Sequence, residues 1–456
     1  MTFIGMPGWV YQSGMEALNI HLNYPIVIFF AVVFFIPVFY RMGFTSIYEY
    51  LEHRFGVYAR TINSVVFILV QCISSGVILY AIALILIQIL PISIVEAIVY
   101  ITLFTACYTY AGGISTVIWT DMLQSAVLIA GSVAIFVLLL LQVDGVHGVS
   151  REQLNIINLQ FDLGVDTTLW AGVVAVSFLH MSVYGTNQLI IQRTLATRCE
   201  KTAQKSMLLC GYGAFFIYFF FALLGVLLSI FYQERHFTNS NEVILDFVFH
   251  HTNPWVIGLI ISALAAAAMS TLDSTYNSMA TVATFDLYQR FIRRNAPDHH
   301  YQAVARKMSL VAAGLVVIPA LLAVSNESVL KTIASLTSIF VGIRLGSFVL
   351  GLFSNQANEK GVIAGSIISI AAVLGARLMD IAWPWFAPIG TVFFLVSGVV
   401  ISRYWGDNSI QQQAFIARQK HLFATPTMSQ YGLLVFAAVT IAVCAIIPDW
   451  LYNALS

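Results

Sequence analysis

The chain has 456 residues, of which 59% are hydrophobic and only 9% are charged. A soluble domain carries about a quarter charged residues, so this composition excludes a water-soluble globular protein and predicts one embedded in a lipid bilayer. The formal net charge is zero, so bulk charge gives no reason to expect nucleic acid as a partner.

Twelve apolar segments are long enough to cross a bilayer as helices, which takes about 20 residues. They follow a short stretch at 3–18 that contains Gly and Pro. The predicted spans lie at 22–40, 62–90, 93–111, 122–142, 168–187, 207–231, 255–281, 308–325, 333–353, 361–379, 385–402 and 430–448. We therefore expect an all-α polytopic helical bundle that forms one transmembrane domain over residues 1–456.

The basic residues collect in alternate loops. Of the 21 Lys and Arg residues, sixteen fall at 41–60, 188–206 and 282–307, at Lys360, and at 403–420. Because short basic loops stay in the cytoplasm, we expect these five loops to be cytoplasmic and the C-terminus to be outside. This pattern predicts a multi-pass protein of the cell membrane.

The first group of polar residues inside a span is the stretch AAAAMSTLDSTYNS at 265–278. Several of its residues share one helix face, because they lie three or four positions apart: Ala267, Ser270, Thr271, Ser274 and Asn277. Asp273 lies beside this face and adds a carboxylate. An oxygen-rich face suits a hard cation such as sodium, and the alternative is a packing seam of small residues.

Two further charged residues fall at or inside spans. Asp121, in the stretch at 112–125, is either a helix-start acid that complements the helix dipole or a second carboxylate of a cation site. Arg344 cannot lose its charge at accessible pH, so within a membrane it needs a partner. It either binds an anionic substrate or pairs with Asp273 or Glu96.

His21 and His180 lie near the starts of two spans, where each either lines a solute path or forms a hydrogen bond in the core. The five cysteines show no CxxC or Cys/His metal spacing. No Ser/His/Asp, metal or nucleotide motif appears in a plausible context, so we do not expect an enzyme.

Five segments together resemble the sodium/solute symporter family, which includes bacterial proline, sialic acid and galactose carriers. The segments are FIGMPGWVY at 3–11, IPVFYRMGFTSIYEYLEHRF at 36–55, YTYAGGISTVIWTDMLQ at 108–124, YGTNQLIIQRTL at 184–195 and AAAAMSTLDSTYNSMATVATFDLY at 265–288. The resemblance runs from residue 2 to about 405. Each piece alone is weak, but the combination in this order is specific.

The resemblance implies the LeuT-type fold, in which two inverted five-helix repeats enclose a site near the membrane midplane. Residues 1–18 would be a remnant of the broken first core helix, 22–142 the rest of the first repeat, 168–353 the second repeat, and 361–448 additional C-terminal helices. Because Met1 falls inside the broken helix, we expect an N-terminally truncated chain with only part of the common sodium site.

The resemblance also implies site residues. The common sodium site matches the carbonyl of Ala267 with Ser270 and Thr271, and an additional sodium site in some members matches Asp121, Ser270, Asp273 and Ser274. Pocket positions match Thr2, His21, His180 and Ala334. The galactose carriers' lysine would be Ala214 here, and the sialic acid carriers' arginine would be Ser74. These departures argue against both substrates and leave a small polar solute, a carboxylate or a polyol.

The expected function is sodium-coupled symport of a small polar organic solute by alternating access. Two alternatives remain. One is a membrane sensor that keeps the transporter fold without coupling, and the other is a proton-coupled carrier that uses Asp121 and Asp273. The sequence leaves the solute, the sodium stoichiometry and the oligomeric state open.

Overall fold

The described elements are all helical. The computed structural model describes residues 2–44, 46–87, 89–143, 151–233, 235–237, 239–322, 329–419, 422–423 and 425–455, with side chains for all of these except 111–118, 329–331 and 453–455. Within these ranges the expected all-α class is confirmed.

Most helices follow one another through short connections, whereas the long segment between α5 and α6 contains a further short helix, Arg151–Leu154. The first half of the chain forms α1 (Thr2–Ser13), α2 (Met15–Met42), α3 (Tyr48–Arg54), α4 (Val57–Leu86) and α5 (Ile94–Gln142). The second half forms α6 (Ala171–Thr186), α7 (Gln188–Leu195), α8 (Glu200–Tyr232), α9 (Glu242–His251), α10 (Pro254–Ile292), α11 (Asp298–Leu322), α12 (Val329–Ser338), α13 (Val341–Phe353), α14 (Glu359–Leu378), α15 (Trp383–Tyr404), α16 (Ile410–Gln419) and α17 (Met428–Leu455).

Each of the twelve predicted spans coincides with an apolar helical segment. Among the described residues, 9 helices are long and apolar enough to cross a membrane alone, and α12 and α13 form a further span that is bent by 51°. The remaining two are shorter apolar helices, Ile94–Tyr110 and Ala171–Thr186. The twelve helical segments agree with the prediction because of their composition. Within lipid, a single apolar segment can satisfy all of its backbone hydrogen bonds internally only by forming a helix.

One connection differs from the prediction. The sequence predicts a link at 112–121, whereas the structure continues α5 through this segment as a single helix of 49 residues. The segment contains no proline, so nothing in it removes a helical hydrogen bond. A straight helix of this length would measure roughly 74 Å, more than twice the hydrocarbon thickness of about 30 Å. Tyr108 and Asp121 nevertheless both lie beside the same turn of α10, so the two halves of α5 act as separate spans.

The basic loops lie together at one end of the bundle, here called the basic end. The end of α2 meets the start of α8 through a salt bridge of 2.9 Å between Arg41 and Glu200. The start of α4 meets α14, where Glu359 accepts a hydrogen bond of 2.7 Å from the backbone of Tyr58. Their common location at one end is what cytoplasmic basic loops require.

Buried ion pairs hold the basic end together. Asp286, at the end of α10, is fully buried and accepts hydrogen bonds of 2.7 Å from both Arg60 of α4 and Ser46. Arg60 also pairs with Glu52 of α3 at 2.8 Å. Because a buried charge is tolerated only when it is paired and hydrogen-bonded, this network fixes α3 against α4 and α10.

A second buried arginine joins α3 to the end of α13. Arg54 donates hydrogen bonds to the backbone carbonyls of Gly351, Ser354 and Ala357. Basic side chains near a helix C-terminus satisfy carbonyls that have no partner within the helix. Burial lowers the pKa of Arg54 to about 10, so the guanidinium keeps its charge and its function as a cap near neutral pH.

Helix α1 lies inside the bundle, and its close packing places Thr2 at the centre. Phe3 meets Phe221 of α8 edge to face, with ring centroids 5.9 Å apart. A Cβ added at Gly8 would stand 2.1 Å from the carbonyl oxygen of Ser240. Only glycine permits this approach, so it holds α1 in place against the connection between α8 and α9.

The basic end is expected to face the cytoplasm, and cysteine labelling tests this. In a background with the native cysteines replaced by alanine, Arg293→Cys in intact cells should resist an impermeant maleimide because it lies in the basic loop after α10. Asp162→Cys, exposed at the opposite end, should react and serves as the control. Labelling of Arg293→Cys but not of Asp162→Cys would show that the protein has the opposite orientation.

Candidate functional site

A cavity of about 260 Å³ lies between α1, α4, α5, α8 and α10. Its polar or backbone-lined part is formed by Thr2, Gln124, Ser125, Ala267, Ser270 and Thr271, and its apolar part by Phe3, Ile4, Ile78, Ile82, Leu128, Ile217, Phe221, Leu264 and Ala268. The structure therefore brings together the three residues expected at the common sodium site and one residue expected at the solute site.

The donor atoms on α10 suit a hard cation. The hydroxyls of Ser270 and Thr271 each donate a hydrogen bond of 3.1 Å to the carbonyl of Ala267. A hydroxyl that donates its proton keeps its lone pairs, so both oxygens stay available as ligands. Sodium, like other hard cations, takes such neutral oxygens.

Gln124 is a cavity residue that the sequence reasoning missed. Its Oε1 atom is buried and has no hydrogen-bond partner among the described residues. A buried polar atom of this kind calls for a ligand, and an amide oxygen is a hard-cation ligand. The signal was in the sequence, because Gln124 lies three positions after Asp121 and therefore on the same side of α5. The donor set around the cavity thus fits a sodium ion.

The second group of predicted ligands lies beside this cavity and contains an arginine. Arg193 of α7 forms a salt bridge of 2.7 Å with Asp121 of α5 and also contacts the hydroxyl of Ser274. Ser274 donates to Asp273 at 3.0 Å and to the carbonyl of Ser270 at 2.7 Å. The four residues expected at the additional cation site are therefore neighbours, but the guanidinium of Arg193 lies between Asp121 and Ser274.

Asp273 is held by hydroxyl groups. It is fully buried and accepts a hydrogen bond of 2.9 Å from Tyr108 in addition to that from Ser274. In the described part of the chain no basic side chain contacts its carboxylate. A buried carboxylate without a cationic partner is costly, so Asp273 supplies unbalanced negative charge to this region.

His21 and His180 meet in an aromatic cluster between α2, α6 and α8. Their ring centroids are 6.0 Å apart, and His21 stacks on Tyr218 at 3.5 Å. Nδ1 of His180 forms a hydrogen bond of 2.7 Å with Asn23. Both ring nitrogens of His21 are buried and lack partners within the described ranges. This ring therefore offers two polar atoms to a ligand.

Thr2 connects the cavity with the histidine cluster. It lines the cavity, and its side chain also lies close to that of Tyr218, the ring on which His21 stacks. The structure thus places Thr2 next to both the expected cation ligands and the expected solute ligands. Ala334, also expected at the pocket, lies on α12 and is absent from the cavity wall.

Arg344 lies apart from the histidine cluster, toward the basic end. One of its terminal nitrogens donates to the carbonyl of Ser182 at 3.3 Å, and its Nε is buried without a partner among the described residues. The expected ion pairs with Asp273 or Glu96 are not formed. Asp273 bonds to hydroxyls, and Glu96 bonds to Ser93 at the start of its own helix. The guanidinium therefore lacks an anionic partner in the described structure.

Comparison of the sequence with models of protein families shows which family the chain belongs to. The sodium:solute symporter family matches residues 1–369. The chain belongs to this family. Membership makes it a multi-pass membrane protein and a transporter rather than an enzyme, and it identifies sodium as the coupling ion.

Curated relatives are similar along most of this symporter. The human sodium/iodide cotransporter is 29% identical over 395 residues, which cover 82% of this chain and 61% of the relative. The sodium/sialic acid symporter SiaT of Proteus mirabilis (strain HI4320) is 29% identical over 418 residues, or 88% and 84% of the two chains. The sodium-coupled monocarboxylate transporter 1 of Xenopus laevis is 26% identical, with 82% and 62% covered. The chain thus spans about three fifths of the first and third relatives.

Solved structures confirm the fold. A substrate-bound, outward-open sodium-coupled sialic acid symporter superposes with a TM-score of 0.80 at 26% identity, covering 90% of this chain and 87% of the other. The inward-facing form of Mhp1 gives a TM-score of 0.54 at 13% identity, which supports the fold alone. The LeuT-type bundle expected from the sequence is therefore confirmed, whereas the division into repeats at the stated residues stays a prediction.

Gln124→Leu should weaken sodium binding about tenfold, equivalent to about 1.4 kcal/mol, because it removes an oxygen from the cavity wall. The measurement is sodium-dependent thermal stabilisation of the purified protein in detergent. Gln142→Leu, at the far end of the same helix where Nε2 bonds to the carbonyl of His251, is the matched control. Equal sodium affinity in the two variants would exclude Gln124 as a ligand.

Proposed function

We propose that this symporter carries a small organic anion together with sodium across the cell membrane by alternating access. The observation that carries the proposal is the position of Thr2, which borders both the oxygen-lined cavity and the histidine cluster. An ion and a solute bound on either side of this residue would each affect the other's site.

The cation part of the proposal rests on α10 and α5. The carbonyl of Ala267 and the hydroxyls of Ser270 and Thr271 would hold the ion, and Gln124 would add a fourth oxygen. Neutral oxygens can leave an ion free to dissociate on either side, which a transporter requires. Asp273 would supply negative charge next to this site, and Asp121 and Ser274 lie beside it in contact with Arg193.

The solute part rests on Thr2, His21, His180 and Arg344. The two histidines and Thr2 offer hydrogen-bonding atoms, and Arg344 offers a charge that no described carboxylate neutralises. The relatives named above carry iodide, sialic acid and monocarboxylates, all of which are anions at neutral pH. A carboxylate therefore fits both the chemistry of the residues and the chemistry of the relatives better than a polyol does.

The order of residues along α6 implies a direction. His180 faces the histidine cluster, and Ser182, two positions later, contacts Arg344. Helix α6 runs toward the basic end, so Arg344 lies beyond the histidines on the way to the proposed cytoplasmic side. A solute would meet the histidines first and the guanidinium second.

Coupling requires that sodium favour one conformation over the other, because a ligand shifts an equilibrium only by its differential affinity. Helix α1 packs against α8, and its Thr2 reaches the cavity and Tyr218. Ligands on α10 that draw α1 closer would therefore also set the position of Tyr218 and of the His21 ring stacked on it. This connection would link ion binding to the shape of the solute site.

Ser270→Ala and Thr271→Ala should each raise the sodium concentration needed for half-maximal uptake about tenfold, because each removes one oxygen ligand. Sodium-dependent uptake of radiolabelled pyruvate, propionate and benzoate into proteoliposomes provides the measurement. Ser278→Ala is the matched control, since Ser278 also bonds within α10, to Thr275 at 3.0 Å, and does not line the cavity.

Unchanged sodium dependence in both variants would remove Ser270 and Thr271 from the site. Uptake that follows a pH gradient and ignores sodium would favour the proton-coupled alternative. Absence of uptake for every solute tested, with intact sodium binding, would favour the sensor.

Arg344→Gln should reduce uptake of the transported carboxylate at least about tenfold, because a charge-assisted hydrogen bond to an anion is lost. Arg344→Lys should retain part of it, since the charge remains. Arg377→Gln, which removes an exposed arginine from the end of α14, is the control. If the neutral amide of the same carbon skeleton is carried as well as the acid, the solute is not recognised as an anion.

A further inference from the structure

We infer that the side chain of Arg193 is a tethered cation that takes the place of a second sodium ion between Asp121 and Ser274. The inference rests on the proposed sodium coupling and adds the stoichiometry. It assigns one sodium ion to the cavity at Ala267, Ser270 and Thr271, and it assigns the neighbouring cation position to the protein itself.

The contacts of Arg193 carry the inference. Its Nη2 atom lies 2.7 Å from Oδ2 of Asp121 and contacts the hydroxyl of Ser274. Ser274 in turn donates to Asp273 and to the carbonyl of Ser270. The guanidinium thus touches two of the four predicted ligands directly and reaches the other two through one hydroxyl group.

The charge of this region requires a cation. Asp121 and Asp273 are close neighbours across Ser274 and Arg193, and two bare carboxylates in such a position repel one another. Oδ1 of Asp121 is buried and has no partner in the described part of the chain. A guanidinium keeps its charge at every accessible pH, so Arg193 neutralises one carboxylate permanently, and a sodium ion at the same position would be repelled by it.

The position of Arg193 in the fold explains how it reaches this site. Helix α6 ends at Thr186, the backbone of Asn187 is extended, and α7 then begins at Gln188. This break turns the chain so that α7 lies beside the part of α10 that follows Ser274, toward the basic end. The side chain of Arg193 is 34% exposed at the basic end, whereas Asp273 is fully buried. The guanidinium therefore enters the cluster from the proposed cytoplasmic side.

A count of bound sodium ions tests the inference. The full chain is purified in detergent, and tryptophan fluorescence and thermal stabilisation are followed during titration with sodium chloride against choline chloride. Two sodium ions that favour the same conformation bind cooperatively, so the wild-type protein should give a Hill coefficient of about 1 and Arg193→Gln should raise it toward about 2, the number of sites. Arg193→Lys, which keeps a tethered charge, is the control and should stay at about 1.

A double variant guards against a failure to fold. Arg193→Gln combined with Asp121→Asn replaces the ion pair by two neutral amides of similar shape and should return the Hill coefficient to about 1. Equal Hill coefficients in wild type and Arg193→Gln would overturn the inference, as would a wild-type value near 2 or a double variant that still binds a second ion.

The outcomes also separate this inference from the proposed function. If the wild-type protein responds to sodium with a Hill coefficient of about 1 and Arg193→Gln changes nothing, sodium coupling stands and only the role of Arg193 fails. If neither protein responds to sodium, both ideas fail. A sodium response that appears only in Arg193→Gln supports the tethered cation and contradicts coupling in the wild-type chain.

Discussion

The stability of a charge inside a low-dielectric bundle depends on what the neighbouring helices place around it. In this symporter that constraint organises three regions. At the basic end, Asp286 and Arg60 neutralise one another and fix α4 to α10. Deeper in the bundle, Asp121 is neutralised by Arg193. Three buried charges lack an oppositely charged partner among the described residues: Arg54 is held by three carbonyls, Asp273 by two hydroxyls and Arg344 by one carbonyl. The ion pairs fix helices to one another, whereas Arg344, which has the fewest described hydrogen-bond partners of these three residues, is the charge that we propose to associate with a transported anion.

The arrangement also explains why ion and solute regions can affect each other without sharing a ligand. Thr2 is short, and the packing of Gly8 against Ser240 leaves α1 little freedom to slide along its axis. Displacement of α1 toward α10 would therefore be sideways, and it would change the position of Thr2 relative to Tyr218. A small residue at the start of a tightly packed helix is thus enough to connect two sites.

The membrane spans and the polar face of α10 could be predicted from the sequence. The spans follow from uninterrupted apolar stretches, and the shared face of Ser270, Thr271 and Ser274 follows from helical periodicity. The continuity of α5 was missed because Gly112 and Gly113 resemble a loop, although glycine only weakens a helix. Gln124 was missed because the sequence shows that it shares a helix side with Asp121 but not that its oxygen is buried without a partner among the described residues.

Other features depend on contacts between distant parts of the chain. Arg193 and Ser274 are separated by 81 positions, and the helix break at Asn187 decides that they meet. His21 lies on α2 and Tyr218 on α8, far apart in the sequence, so no local pattern could predict their stacking. The lack of a carboxylate beside Arg344 is likewise a property of the assembled bundle, since the sequence offered both Asp273 and Glu96 as partners.

Helix α10 carries the proposed sodium ligands and the basic-end ion pair on one continuous rod. Ser270 and Thr271 lie about 23 Å from Asp286 along the helix axis at 1.5 Å per residue. The segment from Ala283 to Ile292 is π-helical, a form that commonly marks functional sites. A lever of this length converts a small tilt at the ion cavity into a shift of several ångströms at Asp286, comparable to the length of its hydrogen bonds to Ser46 and Arg60. A tilt of α10 caused by ion binding at mid-membrane would therefore strain or relax the hydrogen bonds of Asp286 to Ser46 and Arg60 at the basic end.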